Sequence, residues 1–567
     1  MRQIVIASDR INELDSFLKG EDIKSEYFYI LVDLGCTDTA NLLKEKGFKK
    51  VSISEGLGSI NFKKEYIDFI GRLNSQYNST YWWANSISYK GNFVSDLCQE
   101  IYYYYCIVGL IKNYNRNYII INNNATLNNC IEKYCKTNSI QFRLVGAKKK
   151  ENAFTFIKRS FWNSIYFLYQ GWTRKFIVSI CLSKKINKEL KEGRSYYVLK
   201  SWLNERSFSN GKYNDLFFGR LPEYLSQNSK DFFILAGILT DYKEVISKIK
   251  EITELSIIPQ EYFVNYLDYL RALMLAWLNR VRIRKPAVFC GLDVTDFLKR
   301  CLKKDYEAGE VNKNLMFFYY AKGLSKTAKV DAFIFTFENQ AWERISILAL
   351  KRYSSGAGLV GYAHSSITQS PLGYFFSKEE EDVMPLPDKI VTSGREPWLI
   401  LNSSGNYKNR VNLAEGCALR YEYLFEKEKM PRKRGGNILV AFSINSRYSL
   451  KLLNFLHDSL GGIDKYKIIL RSHPFMPIDL IMKERHLSLD TNFSISENSR
   501  FEDDLKDASL FIYIDTTSSI EALMLGIPVV HIDFKEPTSP DPLFKLNSLK
   551  FTVSAEKDKL CDSIENI

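Results

Sequence analysis

Short apolar runs bounded by polar turns recur along this chain, with longer helical stretches between them. Ile4 to Ala7, Tyr27 to Asp33, Tyr118 to Asn122 and Ile140 to Val145 are four such runs near the start. Helical periodicity covers Asp96 to Lys112 and Leu127 to Lys136, before and between the last two. Strands alternating with helices of this length predict a parallel sheet with helices on its faces. After a basic, aromatic segment at about 147–195 the alternation resumes. Strands are expected at Tyr196 to Leu199, Asp231 to Ala236 and Ala287 to Phe289, with a long helix from Ile258 to Arg280. Asp331 to Glu338 reads as a buried strand followed by a helix from Asn339 to Tyr353, and Gly358 to His364 and Lys389 to Ser393 as further strands.

The pattern breaks at about 425–436, where EKEKMPRKRGG is charged and ends in two glycines. It then restarts as a clean βαβα unit. Strands are predicted at Ile438 to Phe442, Lys467 to Leu470, Leu510 to Ile514 and Pro528 to Ile532. Helices are predicted at Tyr448 to Leu460, Asp479 to His486, Phe501 to Ala508 and Ser519 to Leu525. The fold class is therefore α/β, with two doubly wound, Rossmann-like domains over residues 1–425 and 426–567. The first carries the aromatic, basic insertion at 147–195. Such domains place a ligand crevice at the carboxyl ends of their strands, here facing an interdomain cleft.

Composition narrows the partner. The 567 residues carry a formal charge of +13, which favours an anionic partner. No basic run exceeds three residues, Lys148 to Lys150 being one, and Pro431 to Arg434 reads as a linker, so no nucleic-acid arm is expected. The ten cysteines show no CxxC pair, which suits reduced thiols in a cytoplasmic protein. The first residues, MRQIVIASDR, read as a strand and not as a signal peptide. No stretch reaches the ~18 uncharged apolar residues of a membrane span. Phe161 to Leu182 is aromatic, with basic residues at both ends, and fits either an interfacial helix on an anionic leaflet or a helix packed between domains.

Three loops at predicted strand ends carry candidate chemistry. Arg471, Ser472, His473 and Pro474 follow the strand KIIL; His473 can donate to a phosphate, Arg471 adds a fixed charge, and Pro474 fixes the loop. Asp515 to Ser519 precedes the helix IEALMLG. There Thr517, Ser518 and Ser519 offer hydroxyls and backbone N–H groups to an anion, or cap the helix with Glu521 completing a capping box. Ser443 and Asn445 lie at the end of the domain's first strand. A satisfied turn histidine and an ordinary cap are the plain alternatives; the expectation of function rests on the three loops converging.

The HP element, the hydroxyl pair and the following E-A-L-x-x-G-x-P-V resemble the C-terminal donor domain of GT-B glycosyltransferases that use cytidine nucleotides, the sialyltransferase and Kdo-transferase kind. By that resemblance His473, Ser518 and Ser519 hold the donor phosphate. Residues 201–206 (SWLNER), 213–222 (YNDLFFGRLP), 337–343 (FENQAWE) and 82–86 (WWANS) with Lys90 resemble a group of bacterial surface-carbohydrate biosynthesis proteins. The resemblance implies a GT-B, metal-independent transferase of O-antigen, capsule or lipopolysaccharide assembly. The expected donor is a CMP-activated ulosonic acid such as Kdo or a sialic-acid-like sugar, with no cofactor beyond that co-substrate. The expected acceptor is a lipid-linked or oligosaccharide glycan, with peripheral contact at the inner face of the inner membrane. A UDP- or GDP-sugar or CDP-polyol donor, or a non-catalytic nucleotide-sugar-binding role, are the alternatives. No dinucleotide fingerprint, P-loop or DxD motif points elsewhere.

Glycosyl transfer needs a base for the acceptor hydroxyl or a carboxylate nucleophile. Glu338, at the end of an apolar strand, is the first candidate. Asp215 is the second, in a polar loop beside Arg206 and Arg220, where a structural ion pair is the alternative. Arg206, His364, Trp82, Trp83 and Lys90 are candidates for acceptor or sugar binding.

Overall fold

The computed structural model describes residues 3–7, 14, 18–19, 27–31, 37–91, 95–113, 117–122, 124–145, 153–209, 211–407, 409–430, 435–485, 488–536, 538–555 and 560–567. Lys148 to Lys150, Pro431 to Arg434 and His486 lie outside the described residues.

Among the described residues three sheets consist wholly of parallel strands. The first joins β1 (Gln3–Ala7), β2 (Tyr27–Leu31), β3 (Lys49–Lys50), β4 (Asn117–Ile121) and β5 (Phe142–Leu144) in the order β3-β2-β1-β4-β5. The second contains β6 (Ser195–Leu203), β7 (Phe232–Ile238), β8 (Ile257–Pro259), β9 (Lys329–Thr336), β10 (Gly358–Ala363), β11 (Lys389–Thr392) and β12 (Asn412–Glu415). Its order is β8-β7-β6-β9-β10-β11-β12. The third contains β13 (Asn437–Ala441), β14 (Ile468–Arg471), β15 (Phe493–Ile495), β16 (Ala508–Tyr513), β17 (Val529–Asp533) and β18 (Phe551–Ser554). Its order is β15-β14-β13-β16-β17-β18.

Parallel strands covered by helices on both faces are apolar without alternation, as in β7, where every residue after Phe232 is buried. Each sheet runs 3-2-1-4-5 outward from its first strand, so winding reverses between its first and fourth strands. That reversal is where a doubly wound sheet opens a crevice. In the second sheet it lies between β6 and β9, and in the third between β13 and β16. The single unit expected over residues 1–425 thus holds two separate sheets, the first and the second, and residues around the second and third sheets line the cavities described below. The first sheet shares one contiguous apolar core with the second, running from Ile6 and Ile30 to Leu401 and Val411. The third has its own apolar layers, one on each face.

Six helices matter to the site: α1 (Ala153–Cys181), α2 (Tyr266–Leu278), α3 (Glu310–Thr327), α4 (Ala341–Tyr353), α5 (Ser446–Leu460) and α6 (Ser518–Met524). The single helix expected from Ile258 to Arg280 is instead β8, a short 3-10 turn and α2. Asn265 starts the helix afresh: its Oδ1 accepts the Asp268 N–H at 3.1 Å, and Asp268 accepts the Asn265 N–H at 3.0 Å. Pro259 closes an edge strand, where a missing N–H costs nothing. Val288–Phe289 pairs with Leu292–Asp293 in a hairpin outside the large sheets.

Candidate active site at the cleft

At the switch point of the second sheet, β9 ends at Thr336 and α4 begins at Ala341, leaving a four-residue loop, Phe337 to Gln340. Asn339 takes a positive φ of 58° at the centre of it, a conformation asparagine tolerates better than most residues. Its side chain explains why: Oδ1 accepts from Arg344 Nε at 3.0 Å and Nδ2 donates to the Gly373 carbonyl at 2.8 Å. Glu343, buried in the first turn of α4, accepts the Glu338 N–H at 3.0 Å and the Asn339 N–H at 2.7 Å. The loop backbone is thereby fixed from both sides, and Glu338 is the side chain left to project.

The Glu338 carboxylate accepts a hydrogen bond from the Gln340 amide, and Trp342 Nε1 holds that amide in turn by donating to Gln340 Oε1 at 3.1 Å. About a third of the Glu338 side chain (36%) remains open, facing a cavity of about 650 Å³. Burial raises its pKa above the ordinary carboxylate value, while the Gln340 hydrogen bond and the Arg420 charge pull the other way. Glu343 is pushed up further, by burial and then by the Glu338 charge. His364 follows β10, next to β9, with Nε2 3.8 Å from Glu338 Oε1 and the Phe217 ring edge-on at 5.0 Å. Burial, helped by Arg420, holds its imidazole down to about 3, so it is neutral at working pH.

Across the cleft, the loop after β14 presents His473 to a larger cavity of about 1210 Å³. His473 Nδ1 accepts the Phe475 N–H at 3.2 Å, which leaves Nε2 carrying the proton. Burial and the nearby Arg206 charge lower its pKa, so it meets the cavity as a neutral donor. The same cavity is lined by Arg206, Arg420 and Glu521. Glu521 accepts from Tyr423 Oη at 2.6 Å and has a raised pKa, first through burial. Arg420 has no carboxylate partner within ion-pair distance among the described residues, yet its charge bears on Glu338, His364 and Glu521. Trp202, Phe217, Leu239 and Phe475 line both cavities, which therefore adjoin. Among the described residues no group of three or more His, Cys, Asp or Glu could hold a metal ion.

No family model and no curated protein matches this chain. Among solved structures, a glycotransferase of kitacinnamycin is 11% identical, with 64% of this chain and 88% of that one covered at a TM-score of 0.36. The MurG of Acinetobacter baumannii is 9% identical, covering 66% and 90%, with a TM-score of 0.35. The UDP-GlcNAc 2-epimerase from Neisseria meningitidis bound to UDP-GlcNAc is 10% identical, covering 65% and 91%, with a TM-score of 0.38. Likenesses this low assign no family.

The geometry redistributes the candidates. Glu338, His364, Arg206, Asp215, His473, Pro474 and Glu521 all line the paired cavities. Asp215 is nevertheless no free nucleophile. Its carboxylate accepts from Tyr213 Oη at 2.6 Å and from the N–H groups of Phe217 and Phe218, both at 2.8 Å, and so shapes the loop that carries Phe217. Arg220 turns instead toward Glu223, Glu422 and Glu426. Arg471 is also spent: its guanidinium binds Asp504 and the carbonyls of Asn498 and Ser499.

The three loops of the third sheet do not meet at one cavity. Ser443 donates to Asp515 at 2.5 Å, closing the β13–β16 switch point from within. Asn445 caps α5 and lines a separate cavity of about 330 Å³. Ser519 is fully buried and donates to the Thr516 carbonyl at 2.9 Å, Ser518 N–H bonds Thr516 Oγ1 at 3.2 Å, and Thr517 is the N-cap of α6 without a side-chain cap bond. Glu521 completes no capping box; it faces Tyr423.

Trp82, Trp83 and Lys90 lie away from the cleft. Both indoles are buried, donating to Asn74 at 2.7 Å and Asn78 at 3.0 Å, and Lys90 forms a buried ion pair with Glu380 at 2.6 Å. Apolar surroundings and satisfied donors make them packing and pairing residues. Arg420 and Gln340 are the residues the sequence did not single out. Arg420 follows β12, a strand whose four residues, NLAE, carry too little apolar signal to be read.

Proposed function

We propose that the chain is a metal-independent GT-B glycosyltransferase of surface-glycan assembly. The nucleotide-activated sugar lies in the larger cavity, and the acceptor hydroxyl reaches Glu338 through the smaller one. The observation that carries this reading is the pairing of Glu338, at one switch point, with a neutral His473 donor across the cleft, in two adjoining cavities that share an aromatic lining.

The chemistry follows from the side chains. Glu338, with its pKa raised, is a better base than an exposed carboxylate and takes the acceptor hydroxyl proton. The acceptor oxygen bonds to the anomeric carbon, and the bond from that carbon to the phosphate oxygen breaks, its electron pair leaving with the nucleotide. His473 Nε2–H, Arg206 and Arg420 receive the charge that builds on the phosphate. Glu521 offers a hydroxyl acceptor for a ribose. His364, neutral and beyond hydrogen-bond distance, keeps the Glu338 surroundings low in polarity without neutralising it.

The donor we favour is a CMP-linked ulosonic acid, supported by the His473–Pro474 part of the motif resemblance, which lines the cavity, and by the surplus of positive charge. Its sugar carboxylate suits the Arg206 and Arg420 pair. A UDP-sugar fits the same cavity. Melting curves with CMP, CDP, UMP, UDP, GDP and ADP in parallel test this, since a ligand that binds only the folded state raises its stability. A shift with CMP that His473→Ala abolishes supports the favoured donor; a shift with UDP replaces it; no shift with any nucleotide overturns the transferase reading.

A further inference from the structure

The helix α1 is apolar on both sides along its length, and its outer face is uncovered. Buried positions recur at Ser160, Phe167, Gly171 and Val178, the stripe that packs on the body. Gly171 is required there: a Cβ would stand 2.2 Å from the Tyr269 ring. On the opposite side a second stripe is exposed at steps of three and four residues. Phe154 (70%), Phe161 (59%), Tyr169 (66%) and Ile180 (67%) mark its length. At ~1.5 Å per residue the stripe extends roughly 40 Å. The neighbouring α2 widens it with Leu267, Met274 and Leu278, the last 75% exposed. The two helices are locked together by Phe167 against Tyr269, at 5.8 Å, and by Trp172 Nε1 donating to the Tyr266 carbonyl at 3.1 Å. Exposed apolar patches of this extent mark an interaction surface.

Charge says what covers it. Residues 152–188 contain seven Lys or Arg and no Asp or Glu. Lys158, Lys184, Lys188, Arg282, Arg284 and Lys285 are exposed around the patch and have no ion-pair partner among the described residues. A second copy of this surface would bring like charges face to face. An anionic bilayer neutralises them, and exposed Trp162, Tyr166 and Trp172 suit the boundary between headgroups and acyl chains. No described helix is long and apolar enough to cross a membrane.

We propose that α1 and α2 together form a monotopic docking face that lies on an anionic lipid bilayer. The inner edge of the same helix gives the face a purpose: Phe167, Gln170, Gly171 and Arg174 line the cavity that holds Glu338. A lipid-anchored acceptor therefore meets the cavity at membrane height. This last step rests on the transferase reading; the docking face does not.

Full-length protein is sedimented with vesicles of phosphatidylcholine, alone or mixed with phosphatidylglycerol, and its oligomeric state is followed by light scattering. The expected result is binding to the mixed vesicles, weakened by raising the salt from 0.1 to 0.5 M. The exposed triple variant Phe161→Ser/Tyr169→Ser/Leu278→Ser should lose at least tenfold in vesicle partitioning, with its melting temperature and nucleotide-induced shift unchanged. Absence of binding to the mixed vesicles, or equal binding by the variant, overturns the proposal. So does a dimer that the variant alone dissociates. Nucleotide shifts measured without vesicles test the transferase reading separately, so either idea can fail without the other.

Discussion

His364 Nε2 lies 3.8 Å from the Glu338 carboxylate, beside it yet too far to hydrogen-bond it. Because burial keeps the imidazole neutral, the positive charge acting on Glu338 comes from Arg420, which lines the larger cavity. The Glu338 carboxyl is thus tuned by a residue that borders the other cavity.

Glu338→Gln keeps the side chain's size and removes the proposed base. Turnover should fall about 10²–10⁴-fold, the usual contribution of a positioned base, with the nucleotide melting shift intact. Steady-state rates with the donor identified by melting check this. Activity retained within tenfold would assign the base elsewhere.

Arg420→Met should move the acidic limb of the kcat/KM profile to higher pH. The sign follows from charge: Arg420 favours the ionised form of Glu338, so its removal raises a pKa that burial has already lifted. Glu338 then ionises later as pH rises. His364 also loses a repulsive neighbour, but burial remains the larger cause of its depression and keeps it neutral. An unmoved limb would mean that the titrating base is not Glu338.

Arg471→Met should cost stability and spare nucleotide binding. Its guanidinium is bound to Asp504, whose side chain is only 2% exposed, so the substitution leaves a buried carboxylate with no countercharge and only the Ser496 and Asn498 hydrogen bonds. About 3–5 kcal/mol is typical for breaking such a pair. Denaturant melts beside a nucleotide titration separate the two effects, and a large loss of affinity in a stable variant would return Arg471 to the binding site.

Lys90→Met should destabilise by a similar 3–5 kcal/mol, since Glu380 and Lys90 are both fully buried and pair at 2.6 Å. Lys90→Met/Glu380→Gln removes both charges together and should recover much of that loss. If the single variant is instead stable and impaired only in acceptor use, Lys90 belongs to the site after all.

The parallel sheets were legible because their strands are apolar on both faces and their helices keep a regular period. What escaped were elements with weak local signals: β12 in the polar stretch NLAE, and the restart of α2 at Asn265, where a capping box outweighs continuous helical periodicity. Glu338 was legible as a carboxylate at the end of a buried strand. Asp215, in a polar loop, and Arg471, at a strand end, carry the right chemistry, and only their partners, Tyr213 with two loop N–H groups and Asp504, reveal that they are occupied. Trp82 and Trp83 show the same limit, since sequence does not distinguish a stacking platform from a packed indole.

The continuity of the apolar core has a calorimetric consequence. The first two sheets share one core and should unfold in a single transition, whereas the third, with apolar layers of its own, is free to melt separately. A nucleotide held only by the loops of the third sheet would lift that transition alone. One that also engages Arg206 and Arg420 would draw the two transitions together, so the shape of a heat-capacity trace reports whether a ligand bridges the cleft.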